Sequence, residues 1–145
     1  MNILIINGPN LNLIGQREPK LYGNDSFLEF LESLKREFEQ IQIYYFQSNI
    51  EGEIINRLHK TLNEQIEGII LNAGAYTHYS IAIRDAIKAI KIPVIEVHIS
   101  NIYSREEFRQ KSVISAVCIG SITGFGLQSY KLAIYYFLNQ KNNYD

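Results

Sequence analysis

Five short apolar runs alternate with longer segments whose apolar residues recur at helical spacing. This alternation limits the fold more than any other feature of the chain. The runs are Asn2–Ile6 (NILII), Ile41–Phe46 (IQIYYF), Gly68–Asn72 (GIILN), Pro93–His98 (PVIEVH) and Ala116–Gly120 (AVCIG). Each is too short for a helix, and each is apolar at successive positions rather than at alternate ones. Strands of that kind are buried on both faces, as in a parallel sheet covered by helices. Between them, Ser26 and Glu29 have capping-box spacing, and Phe27, Phe30, Leu31, Leu34 and Phe38 follow at helical period. Helices are also expected over Ile50–Asn63, with Ile54, Ile55, Leu58 and Leu62 on one side, and over His78–Ile90. A last helix is marked by Tyr130, Ala133, Ile134, Phe137 and Leu138. One further helical turn is expected near Arg105–Phe108, and the tail Lys141–Asp145 is expected to fray.

The expected fold is therefore α/β: a flavodoxin-like three-layer sandwich. Its five-stranded parallel sheet has the order 2-1-3-4-5, with helices on both faces. No repeat or linker divides the 145 residues, so residues 1–145 read as one domain. One cysteine, Cys118, excludes an internal disulfide and a cysteine-based zinc cluster; within the fifth run it reads as a small buried hydrophobe. The net charge of −1 argues against nucleic acid or an acidic membrane as the main partner. No apolar run approaches the ~20 residues that span a bilayer. The opening Met-Asn followed by apolar residues lacks the basic start of a secretory signal, so a cytoplasmic location is expected.

In this strand order, ligands bind beyond the carboxyl ends of the strands, where the order reverses. The first strand is followed by Asn7-Gly8-Pro9-Asn10-Leu11-Asn12, then Gly15, Arg17-Glu18-Pro19 and Tyr22-Gly23. The third is followed by Asn72-Ala73-Gly74-Ala75-Tyr76-Thr77-His78, and the fourth ends Glu96-Val97-His98-Ile99-Ser100-Asn101 before Arg105 and Arg109. Such groups suit a polyhydroxylated or anionic small molecule and do not form a metal cage. Asn7 and Asn72 stand where a response regulator needs acids. No dinucleotide or P-loop glycine pattern occurs. No lysine sits at a strand end to form a Schiff base, and no loop shows a Ser or Cys nucleophile elbow.

These segments resemble the type II 3-dehydroquinate dehydratases (type II dehydroquinases) of the shikimate pathway. The matching stretches are NGPNLN with REP..YG, QSNIEGEIINRLH, LNAGAYTHYSIAIRD, PVIEVHISNIYSREEFR and the glycine-bearing segment before the last helix. They run colinearly from residue 5 to about residue 134. The resemblance implies a hydro-lyase without cofactor or metal that eliminates water from 3-dehydroquinate to give 3-dehydroshikimate through an enolate. It implies Tyr22 as the base, with Arg17 and Arg105 lowering the phenol's pKa, and Arg17 on a lid flanked by Gly15 and Gly23. A tyrosine has an ordinary pKa of about 10, so cationic neighbours are needed. His98 is the acid candidate, since imidazole titrates near neutrality, and Glu96 lies two residues away on the same strand face to orient it. Asn10 is implied as the enolate stabiliser, acting through a water. Asn72, His78 and Arg109 are implied as substrate grips, with the Ile99 and Ser100 amides and the Ser100 hydroxyl on the carboxylate. His78 is equally well placed to cap its helix. Asp85 is implied to reach a neighbouring subunit's site, within a homo-oligomer, a dodecamer built as a tetramer of trimers.

The chain departs from the family pattern at Tyr103-Ser104, at Gln110-Lys111, at Ser115-Ala116 and at Phe125. None of these removes a group named above. His59 reads as structural or interfacial, and Tyr44, Tyr45, Tyr135 and Tyr136 as packing or interface residues. A second reading remains open: a flavodoxin-like small-molecule binding domain without catalysis.

Overall fold

The computed structural model describes residues 1–15 and 26–142. Its centre is one parallel sheet of five strands: β1 (Asn2–Asn7), β2 (Gln42–Gln47), β3 (Gly68–Asn72), β4 (Val94–His98) and β5 (Gly120–Thr123). They lie in the order β2-β1-β3-β4-β5. The helices are α1 (Phe27–Glu37), α2 (Glu51–Lys60), α3 (Ile81–Ala89) and α4 (Gln128–Asn142). None of these described helices is long and apolar enough to cross a membrane.

Alternate strand residues face opposite sides of the sheet, which explains why the strand runs are continuously apolar. Ile3, Ile5, Ile70, Ile95 and Val97 face one layer, with Phe27, Leu31 and Leu34 of α1 and Ala133, Ile134 and Phe137 of α4. Leu4, Ile6, Ile69, Leu71 and Val94 face the other, with Ile54 and Leu58 of α2 and Ile83, Ala86 and Ile87 of α3. The strand order and the two helical layers agree with the sequence reading. So does the cap at Ser26, whose hydroxyl accepts from the Glu29 amide at 3.2 Å.

Several boundaries differ. The apolar run Ala116–Gly120 does not form the fifth strand: Ser115–Val117 is a 3-10 turn, and pairing starts where the Ile119 amide donates to the Val94 carbonyl at 2.9 Å. The strand itself is GSIT, an edge paired only with β4 and largely exposed, so its composition is not apolar. Val117 and Cys118 instead pack against the second layer from the side. Cys118 is only partly buried, and desolvation, with the Glu96 carboxylate adding to it, pushes its thiol up to about 12.

Helix α2 ends earlier than expected and continues as a 3-10 turn over Thr61–Asn63, which leaves Leu62 exposed rather than in the core. The helix expected from His78 is two elements. A 3-10 turn spans Gly74–His78, and Ser80 then caps α3, its hydroxyl accepting from the Ile83 amide at 3.0 Å. His78 is therefore not the cap. The turn near Arg105–Phe108 is resolved into two, Ile102–Ser104 and Glu107–Arg109. Lys141 and Asn142, expected to fray, belong to α4, and residues 143–145 lie outside the described residues.

Gly8 marks the closest approach at the functional end of the sheet. Its amide donates to the Asn72 carbonyl at 2.7 Å, and a Cβ there would lie 2.5 Å from the Ala73 carbonyl oxygen. Gly8→Ala must push apart the backbones that leave β1 and β3. It should cost about 1–3 kcal/mol, read as a lower midpoint in urea unfolding; an unchanged midpoint would show that the two segments separate freely.

Candidate active site

The carboxyl ends of β1, β3 and β4 open into a cleft of about 120 Å³. Among the described residues its wall includes Asn10, Asn72, His78, His98, Ile99, Ser100, Arg105 and Arg109. All eight are residues that sequence reasoning singled out. Parallel register explains the convergence, because Asn7 pairs with Asn72 and Leu71 with Glu96, which brings the three strand ends level.

His98 closes β4 and is nearly buried, and its Nε2 lies 2.8 Å from Oε1 of the fully buried Glu96. Glu96 is held on its other sides as well. The Ser112 hydroxyl donates to Oε1 at 2.6 Å, and the Ser115 hydroxyl donates to Oε2. Burial works to raise this carboxyl's pKa, but the hydrogen bonds from His98, Ser112 and Ser115 and the charge of His98 together outweigh it. The net result lies below the ordinary 4.5. Glu96 is thus an anion at neutral pH, and it engages Nε2 of His98, whose side chain lines the cleft.

This arrangement has a consequence for acid stability. A carboxyl whose folded pKa is depressed stabilises the fold above its unfolded pKa and loses that contribution as pH falls through the folded value. The window therefore opens downward from about 4.5. In urea titrations at about pH 7 and about pH 3.5, the stability gap between wild type and Glu96→Gln should narrow at the lower pH. A constant gap would mean that Glu96 gains nothing from its partners.

The His78 ring lies 6.4 Å from that of His98, nearly parallel, and its Nδ1 donates to the Lys111 carbonyl at 2.8 Å. Burial is the main force lowering its pKa below 6.5; the positive charges of His98 and Arg109 add to it, against the Lys111 bond and Glu96. A neutral His78 whose Nδ1–H is committed presents an acceptor at Nε2. On the rim, Arg109 Nε sits 2.8 Å from Glu106 Oε2, an ion-pair distance, and its guanidinium lies over the Phe108 ring.

The loop after β1 is fixed by residues that sequence reasoning passed over. Asn10 adopts a left-handed φ of 68°. Its amide donates to Asn49 Oδ1 at 3.0 Å, and the Gln47 side chain bridges Asn49 Oδ1 and the Gly8 carbonyl. The Tyr76 hydroxyl donates to the Asn49 carbonyl at 2.7 Å.

The family model "Dehydroquinase class II" matches residues 1–138. The chain belongs to the class II dehydroquinase family. The 3-dehydroquinate dehydratase of Caldicellulosiruptor saccharolyticus is 58% identical over 135 residues, covering 92% of this chain and 93% of that protein. The enzyme of the same name from Bacillus licheniformis is 54% identical over 143 residues, covering 97% and 98%. The crystal structure of the type II dehydroquinase from Butyrivibrio crossotus superposes with a TM-score of 0.91 at 46% identity, covering 94% of this chain and 96% of that one.

Within this dehydroquinase fold, Arg17 and Tyr22 lie outside the described residues, as does Gly23. Asp85 is exposed on α3 and is not part of the cleft of its own chain. The departures from the family pattern leave the site whole. Lys111 contributes only its backbone carbonyl to His78. Gln110 ties its side chain to the Arg105 carbonyl at 3.1 Å, Ser104 bonds back to the Asn101 carbonyl, and Phe125 is exposed. Ser112 and Ser115 were not legible as site residues, because nothing in KSVIS marks two hydroxyls that meet a glutamate 16 and 19 positions away.

Proposed function

We propose that this chain is a type II 3-dehydroquinate dehydratase acting through the cleft at the ends of β1, β3 and β4. The observation that carries the proposal is the buried Glu96–His98 pair opening onto a cleft bordered by Asn72, Arg105 and Arg109, in a member of this family. Tyr22, as phenolate, takes the proton from the carbon beside the ketone. The electrons move into the carbonyl, and the enolate oxygen is met by a water held at Asn10. The hydroxyl then leaves with a proton from His98 Nδ1, giving 3-dehydroshikimate and water. Glu96 orients the His98 ring. Arg17 and Arg105 stabilise the phenolate. Asn72, His78 and Arg109 grip the substrate's oxygens, while the Ile99 and Ser100 amides and the Ser100 hydroxyl receive its carboxylate.

Residues 1–145 form one catalytic domain in this reading, in a cytoplasmic protein whose ligand is a small molecule rather than a nucleic acid or a membrane. Asp85, exposed and away from the cleft of its own chain, is available to a neighbouring subunit's site, and the family resemblance implies a homo-oligomer, a dodecamer of four trimers. The deciding experiment mixes purified protein with 3-dehydroquinate in EDTA and follows the ultraviolet absorbance of the conjugated enone. Growth of the band is expected, and a flat trace leaves the binding-domain reading in possession.

A further inference from the structure

Tyr130 is among the largest fully buried side chains, and its hydroxyl is 58 and 123 positions from the two asparagines it meets. It enters from α4, beneath the strand ends. Asn72 Nδ2 donates to its oxygen at 2.9 Å, and its own proton goes to Asn7 Oδ1 at 2.7 Å. The direction of this relay follows from one group that can only donate. The Gly74 amide lies 3.2 Å from Asn72 Oδ1, so the Asn72 oxygen must face it. Asn72 Nδ2 then faces Tyr130, which must accept, and the phenol's single proton is sent on to Asn7. Flipping the Asn72 amide would set two donors against each other at Gly74. One N–H of Asn72 and a second lone pair on its oxygen are left over at the cleft wall.

We infer that Tyr130 is a positioning residue of the reaction: from beneath the sheet it fixes which way the Asn72 amide presents its donor and acceptor to the substrate. The inference rests on the proposed function, because Asn72 matters here only as a substrate grip. The chemistry it selects is a ligand oxygen able to accept from the Asn72 N–H. Tyr130 does not touch the ligand in this account; it acts through Asn72. The aromatic ring has a separate task, packing edge-on against Phe27 with ring centres 5.0 Å apart. Tyr130→Phe therefore keeps the packing and removes the relay.

The test is a double-mutant cycle with 3-dehydroquinate as substrate, reading kcat and KM separately. Tyr130→Phe should raise KM about tenfold, the effect of leaving a buried donor without its partner, with kcat changed less than about threefold. Asn72→Ala should do the same. The double variant should match Asn72→Ala alone if the phenol acts on the substrate through that amide; independent roles would multiply to about a hundredfold. Thermal melts confirm that each variant is folded, and Asn72→Ser replaces Asn72→Ala if the latter does not fold. Multiplying losses, or an unchanged KM in Tyr130→Phe, overturn the inference while wild type is active. An inactive wild type overturns the functional reading itself, and the inference with it.

Discussion

His98→Gln will lower kcat by about 10²–10⁴-fold and leave KM within a few-fold of wild type, if His98 is the acid that protonates the leaving hydroxyl. Glutamine retains an amide that can still donate toward Glu96, so the packing at the end of β4 survives, but it carries no titratable proton. His78 cannot take over, although its ring is only 6.4 Å away. Its Nδ1–H is spent on the Lys111 carbonyl, and burial and the Arg109 charge, both of which survive the substitution, still work to lower its pKa. Nor is Glu96 placed to act as the donor, because the Ser112 and Ser115 hydroxyls still occupy its two oxygens in the variant. Steady-state kinetics decide the matter. Turnover close to wild type in a folded His98→Gln protein would move the acid to another group.

The second large effect belongs to Tyr22→Phe, expected to cost about 10²–10⁴-fold in kcat with substrate binding retained. A carbon acid beside a ketone needs a base, and phenylalanine offers none. For tyrosine to serve at neutral pH its pKa must fall by about two units, which takes roughly 2.7 kcal/mol of differential stabilisation. Guanidinium groups can supply this, since they remain charged throughout, and Arg105 borders the cleft among the described residues. A second measurement separates base from bystander. In Arg105→Ala the limb of the pH–rate profile that reports deprotonation of the phenol should move to higher pH. Near-normal turnover in Tyr22→Phe would end the assignment.

Much of this molecule is legible in its residue order. Strands buried on both faces cannot alternate polar and apolar residues, so NILII, GIILN and PVIEVH announce a covered parallel sheet, and the sheet's reversal point then names the loops to inspect. The reading failed where burial is one-sided. AVCIG looks like a strand because it is apolar, yet the edge strand is the polar GSIT, whose pairing with β4 and not its composition makes it a strand. His78 looked like a helix start, but it is the last residue of a 3-10 turn, and Ser80 caps α3. The first miss comes from a pairing made across the fold, which local pattern does not encode, whereas the second is local, since the Ser80 hydroxyl meets an amide three residues on.

Residue order alone determined the fold class, the three strand ends that carry chemistry, and eight of the side chains that meet there, because hydrophobic period and strand order are local properties with one consistent packing. Only the folded arrangement decided what stands behind those side chains. The grip of Ser112 and Ser115 on Glu96, the hold of Asn49 on the Asn10 loop, and the link from Tyr130 through Asn72 to Asn7 join residues far apart in the chain. Hydrogen bonds depend on distance and direction in space, and those are set only once the helices have docked on the sheet.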